Sequence, residues 1–276
     1  MQMGKWLSFL AALLLPLAAA AQSSAAGEEQ LLQYRDSVKN GYNFLLYLPA
    51  SYATRTDLPL ILCLHGGSLI GSDLNTVTHY GCVDALRRGR DINAVIISPQ
   101  CPSMGWNPER LMRVVDWVRE RYHTDLNRFY VMGLSMGGWG TLKMVAAYPD
   151  KIAAAIAMWG GYTGPVEPLT EVPLWIIHGT EDEVTSFSHS NSLVKKMIRT
   201  GQADRVHFSW LYGCNHSILA RIYLLPQPYD WLFSHSLRDY RRPANHEAEI
   251  DPSDLDAAYM RLDPAKARKL PVRKPR

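Results

Sequence analysis

A chain of 276 residues, 47% hydrophobic and 20% charged, suits one globular domain with a core of its own, or a domain plus a tail. Its formal net charge of +3 is too small to argue for a nucleic-acid partner, and no basic patch interleaved with aromatics appears in its body. No Cys-x-x-Cys, His-Glu-x-x-His or similar ligand spacing occurs, so no metal or other cofactor is expected.

Residues 1–21 read as a secretory signal peptide. Lys5 gives a positive start, Leu7 to Ala20 is largely apolar with Pro16 inside it, and Ala19-Ala20-Ala21 precedes Gln22 as a cleavage site. The apolar run is shorter than the ~20 residues a bilayer needs, so no stable membrane insertion is expected. The mature chain is expected to be exported, periplasmic or extracellular. Export permits disulfides among Cys63, Cys82, Cys101 and Cys214. Cys63 falls inside a buried strand and reads as a small core residue. Cys101 and Cys214 fall in loops at strand ends, and whether they pair is left open.

Residues 22–240 form the expected folded domain. Leu31 to Val38 and Tyr42 to Leu48 read as two strands joined across Lys39-Asn40-Gly41, since Asn-Gly is a strong hairpin signal. Leu58 to Leu64 is a continuous apolar run, the mark of a strand buried on both faces. It stops at His65-Gly66-Gly67-Ser68. Asp73 to Arg90 is a loop and then a helix, and Ala94 to Ser98 another buried strand. Asn107 is a good N-cap with Pro108 behind it, opening a helix to about His123. Further strands follow at Phe129 to Met132, Ile152 to Met158, Leu174 to Ile177 and Val206 to Tyr212, with a helix from Ser186 to Arg199. Strands alternating with helices predict a mostly parallel, doubly wound α/β sheet with the N-terminal hairpin as an antiparallel edge. Residues 241–276 carry segregated acidic and basic stretches and few apolar residues, so they read as a flexible, solvated tail with a short helix from Ser253 to Leu262.

Gly133-Leu134-Ser135-Met136-Gly137 fits G-x-S-x-G, with a strand before it and helical spacing from Trp139 to Tyr148 after it. A serine in so sharp a strand-to-helix turn needs neighbours that let strand and helix approach closely, which Gly133 and Gly137 do. A serine hydroxyl is a poor nucleophile without a base, and the base needs a carboxylate to fix its tautomer. In a doubly wound sheet chemistry gathers beyond the carboxyl ends of the strands. His216 lies in the loop after the last strand and qualifies as the base. Asp182 lies after strand Leu174–Ile177 and qualifies as the acid, with Glu181 and Glu183 as rivals. His65 and His178 each precede glycine at a strand end and read as loop-shaping residues. Oxyanion donors are expected from the backbone N–H groups of Met136 and of Gly67, with Ser68 as the second choice.

Taken together, these pieces resemble secreted single-domain α/β-hydrolases: predicted peptidases of the dienelactone-hydrolase type, polyhydroxybutyrate-depolymerase-like esterases, and feruloyl or acetyl xylan esterases. The matching segments are Leu64-His65-Gly66-Gly67, Ser98 to Pro102 with Trp106, Gly133 to Gly138, His178-Gly179 with Asp182 and Val184, and Gly213 to His216. The resemblance covers roughly Tyr42 to Phe233 and adds weight to Asp182 over its neighbours. The chain departs from the group at Thr185, where proline is usual, and at Ser217-Ile218, where a tryptophan often stands. Only Gly160 to Val172 joins the strand after the elbow helix to the acid strand, so no lid domain fits and the site should be open. Trp106, Trp159 and Ser68 are the expected substrate contacts, with Trp139 and Tyr162 able to extend an aromatic wall.

The resemblance implies a secreted serine carboxylic-ester hydrolase acting on small-molecule or polysaccharide esters, with acetyl or feruloyl esters of plant polysaccharides as substrates. Two other readings stand beside it. One is a serine peptidase; the other is a non-catalytic carbohydrate-binding protein on the same fold, for which an intact Ser135, His216 and Asp182 set would have no use.

Overall fold

The computed structural model describes residues 27–275, so the leader read over residues 1–21 lies outside them. The apolar runs become strands β1 (Gln30–Tyr34), β2 (Asn43–Leu48), β3 (Leu60–Leu64), β4 (Val95–Gln100), β5 (Phe129–Leu134), β6 (Ala154–Met158), β7 (Leu174–Gly179), β8 (Val206–Leu211) and β9 (Val272–Arg273). The helices are α1 (Cys82–Arg87), α2 (Pro108–Arg121), α3 (Met136–Ala147), α4 (Phe187–Arg199), α5 (Gln227–Phe233) and α6 (Pro252–Ala257). The strands form a single sheet ordered β8-β7-β6-β5-β3-β4-β2-β1-β9. From β8 to β4 every pairing is parallel, while β2 runs antiparallel to β4 and β1 antiparallel to β2.

Successive residues of the central strands enter opposite core clusters. On β3, Ile61 and Cys63 face one side while Leu60, Leu62 and Leu64 face the other. This is why the strand shows no polar alternation: both faces are covered. Helices α2, α3 and α4 pack on one face, with Leu111, Val115, Leu142 and Val194 in that cluster. Helices α1 and α5 pack on the other, with Leu86 and Trp231. Helix α2 begins as its sequence requires, the Asn107 side chain accepting from Arg110 N–H at 2.9 Å with Pro108 next.

The N-terminal hairpin is shorter than its sequence suggests. Pairing ends at Tyr34 opposite Phe44, and residues 35–42 form a longer connection in which Asp36 and Asn40 both take positive φ. The hairpin is also not the outermost edge, because β9 adds in parallel beside β1 at Leu31 and Leu32.

The C-terminal residues are not a solvated tail. Ile250, Leu255, Ala258, Leu262 and Leu270 are buried in the same cluster as α1 and α5. Asp251 caps α6 through a capping box, and Arg268 pairs with Glu29 while the Arg87 guanidinium donates to Leu270 O. The composition misled because the apolar residues are spaced singly among charges, yet enough of them, Ile250, Leu255, Leu262 and Leu270 foremost, are buried, while Tyr259 and Met260 stay exposed. The domain therefore extends beyond residue 240.

All four cysteines are free and buried. Cys101 and Cys214 cannot meet, since β4 and β8 stand five strand spacings apart, roughly 24 Å, and the two thiols belong to opposite faces of the sheet.

Because Leu255 is completely buried, Leu255→Ala is expected to destabilise the protein by about 2–5 kcal/mol, read as a shift of the urea midpoint. A solvated tail would leave the midpoint unmoved.

Candidate active site

Parallel pairing puts the carboxyl ends of β3, β5, β6, β7 and β8 along one rim, and the loops that leave them build the site. β5 ends at Leu134 and α3 starts at Met136, leaving Ser135 alone in the turn with φ 53° and ψ −120°. That left-handed backbone costs a residue with a side chain on the order of 1–3 kcal/mol and must be held from outside. Ser135 N–H donates to Met158 O at 2.9 Å, and the glycines on either side let the segments close up. A Cβ at Gly137 would lie 2.1 Å from Leu64 O, and one at Gly133 would lie 2.5 Å from Gly137 O.

The loop after β7 carries Asp182, whose side chain is fully shielded from solvent. Its Oδ1 accepts from Val184 N–H at 2.7 Å and Thr185 N–H at 2.8 Å, and its Oδ2 meets His216 Nδ1 at 2.7 Å. Burial raises the Asp182 carboxyl, but the hydrogen bonds from His216, Thr185 and Val184 outweigh it and hold the group below its ordinary value. Glu181 and Glu183 are exposed and have no such role. A carboxylate facing Nδ1 fixes the proton there, which leaves Nε2 of a neutral His216 as a free base. His178 stands behind the pair, with Nε2 3.5 Å from Asp182 Oδ2 and 2.9 Å from Thr185 O, to which it donates. It braces the acid loop.

Ser135, His216, Met136, Gly67, Ser68 and Trp106 all line one cavity of about 710 Å³. Met136 opens α3 and Gly67 opens the short 3₁₀ turn Gly67–Leu69, so both N–H groups lack helical acceptors. Gly66 N–H, by contrast, donates to Tyr80 Oη at 3.0 Å. His65 ties the β3 loop to the β4 loop, its Nδ1 donating to Gly66 O and its Nε2 accepting from Cys101 N–H.

One expected substrate contact needs correction. Trp159 is fully buried in the core on the α1 side, with positive φ, and does not line the cavity. Its backbone is pinned by a hydrogen bond to Ile177 O, and its ring lies against His178 below the rim. Trp106 reaches the cavity but is 3% exposed, its ring seated on α3 at Gly140 and its Nε1 donating to His65 O. It shapes the wall more than it offers a free face. Trp139 is the tryptophan that stays partly open and lines the cavity.

Four contributors to the cavity lining were not read from the sequence. Tyr80 sits in an irregular stretch with no motif around it, yet its hydroxyl also meets Ser68 Oγ at 3.0 Å. Met104 and Val184 are 76% and 73% exposed, and place apolar side chains at the mouth. Lys143 had a signal available: with Met136, Trp139 and Gly140 it forms an i, i+3, i+4, i+7 stripe on α3, and that stripe faces the cavity.

Residues 102–223 match the model of the Dienelactone hydrolase family. A bifunctional acetylxylan esterase/xylanase of Neocallimastix patriciarum is 25% identical over 170 residues, which is 59% of this chain and 24% of that one. The probable feruloyl esterase C of Aspergillus terreus is 23% identical over 191 residues, 66% of this chain and 70% of that one. The chain thus spans about a quarter of the first relative and over two thirds of the second. A crystal structure of a thermostable esterase superposes with a TM-score of 0.64 at 24% identity, covering 75% of this chain and 63% of that one. The fold is that of the α/β-hydrolases.

His65, His178, His207 and His235 are buried, and burial is the leading reason each titrates below the ordinary imidazole value. Each stays neutral in the folded chain at pH values where the unfolded chain already binds a proton. The stability they contribute is complete above the unfolded value of about 6.5 and is lost as pH falls from there toward the folded values, by at most about 1.4 kcal/mol per pH unit for each group. Thermal unfolding followed from about pH 8 to about pH 5 should show Tm declining once pH drops below about 6.5. A flat Tm across that range would mean the rings are not held neutral.

Proposed function

We propose that this protein is a serine carboxylic-ester hydrolase, exported by its leader, that cleaves acyl esters on plant polysaccharides through an acyl-enzyme. The observation that carries the reading is the His216–Asp182 hydrogen bond of 2.7 Å in a loop pair whose cavity His216 shares with Ser135. Ser135 Oγ attacks the ester carbonyl as His216 Nε2 takes its proton. The same proton then passes to the departing alcohol, and water repeats the sequence to free the acid. Asp182 keeps His216 in the right tautomer and stabilises the imidazolium. Met136 and Gly67 N–H groups receive the oxyanion, each worth about 3–4 kcal/mol, and the α3 N-terminus adds its dipole.

The substrate class rests on three supports. The chain similarity is to an acetylxylan esterase/xylanase and a feruloyl esterase. The β6–β7 connection holds only the 3₁₀ turn Glu167–Glu171 among its regular elements, so it supplies no lid domain over the cavity. The mouth carries the exposed Met104 and Val184 beside Trp139, surfaces suited to an aryl or sugar ring on a bulky ester. No helix among the described residues is long and apolar enough to cross a membrane.

Ser135→Ala should lower kcat on p-nitrophenyl acetate and methyl ferulate by on the order of 10⁵ and abolish labelling by a fluorophosphonate. Folded wild-type protein that takes up no probe and cleaves neither ester would sink the proposal in favour of a binding protein. Tyr80→Phe strands the Gly66 N–H and frees the Gly66–Ser68 loop. The expected result is a loss of about tenfold in kcat with little change in KM, the size of one unsatisfied buried donor. Unchanged kcat would remove Tyr80 from the account.

A further inference from the structure

The cavity carries a fixed charge of one sign. Among the described residues, Lys143 is the sole permanently ionised side chain lining it, and no aspartate, glutamate or arginine does. Glu181 and Glu183 lie on the loop that carries Val184 but do not line the cavity. Lys143 is exposed and, among the described residues, has no hydrogen-bond or ion-pair partner, so its ammonium is free to meet a ligand.

Its position sets a distance. Lys143 is seven residues beyond Met136 on α3, which is roughly 10 Å along the helix axis. Helical side chains lean toward the helix N-terminus, here the Ser135 end, and cover surface up to about a turn back. The ammonium therefore reaches a zone roughly 5–10 Å from the oxyanion position. An ester bound across the cavity with a negative group at that range would have its charge matched.

We propose, building on the esterase reading above, that the preferred substrates carry a carboxylate about 5–10 Å from the scissile carbonyl, recognised by Lys143. Two sources fit that chemistry: a half-ester whose acyl chain ends in a carboxylate, and an acylated sugar next to a uronic acid. The contact is solvated, so it tunes selectivity and leaves the chemical step to the elbow. A preference of about three- to fivefold is its natural size, and salt should erode it.

The test measures kcat/KM on matched pairs with wild type, Lys143→Ala and Lys143→Glu. One arm compares 4-nitrophenyl hydrogen adipate with 4-nitrophenyl hexanoate. The other compares acetylated xylo-oligosaccharides with and without a uronic acid side group. In at least one arm, wild type at about 0.01 M salt should favour the anionic member about three- to fivefold, and about 1 M salt should abolish that preference. Lys143→Ala should bring the ratio to about one and Lys143→Glu should reverse it. The arm that shows the effect identifies the source of the carboxylate. Hydrolysis in both arms with ratios that Lys143→Glu leaves unchanged overturns this proposal and spares the esterase reading. Failure of wild type to cleave any of the four esters overturns both.

Discussion

The close approach of α3 to the ends of β3 and β5 is the constraint on which the site depends. Ser135 is held in a left-handed backbone because there is no room for anything gentler: a side chain at Gly137 would strike the Leu64 carbonyl. The same approach brings the unpaired Met136 N–H beside the serine and turns the stripe Met136, Trp139, Gly140, Lys143 into one wall of the cavity. Candidate nucleophile, candidate oxyanion donor and wall thus come from a single packing event, so changes to that packing should be felt by all three together.

The second anchor is electrostatic. Asp182 is buried, which alone would favour its neutral form, but four groups converge on it: two backbone N–H groups, His216, and His178 at longer range. The loop is wound so that its own amides hold the charge. A carboxylate fixed in this way can orient an imidazole without drifting toward solvent, which an exposed neighbour such as Glu181 or Glu183 could not do. His65 does comparable work on the opposite loop, joining Gly66 to Cys101 through both ring nitrogens. Each depends on staying uncharged or charged as its surroundings dictate, which links the acid stability of the fold to the order of the site.

Away from the rim, the C-terminal residues close the face that α1 and α5 leave incomplete. Leu255, Ala258, Leu262 and Leu270 fill gaps over the sheet, and β9 adds two residues beside β1. Their charges are satisfied at the surface by pairs such as Arg268–Glu29, contacts that add little energy but let a charged segment lie on an apolar one.

Much of this was legible in the residues themselves. Continuous apolar runs at Leu60–Leu64 and Phe129–Leu134, the Asn107-Pro108 helix start and the glycines around Ser135 act over a few residues, so local sterics and burial write them directly into the chain. The order of strand ends was enough to pick His216 as the candidate base and to narrow the candidate acid to Glu181, Asp182 and Glu183, among which the family resemblance favoured Asp182. What the tertiary structure alone decided lies in contacts between distant segments. It put Trp159 in the core instead of the cavity, separated Cys101 from Cys214, and set Tyr80 against Gly66 and Ser68. It also showed that a charged C-terminal segment is packed. The reason is common to all of them: a residue's neighbours along the chain determine its backbone, but which side of the sheet it faces and what meets it there follow only once the strands have been ordered.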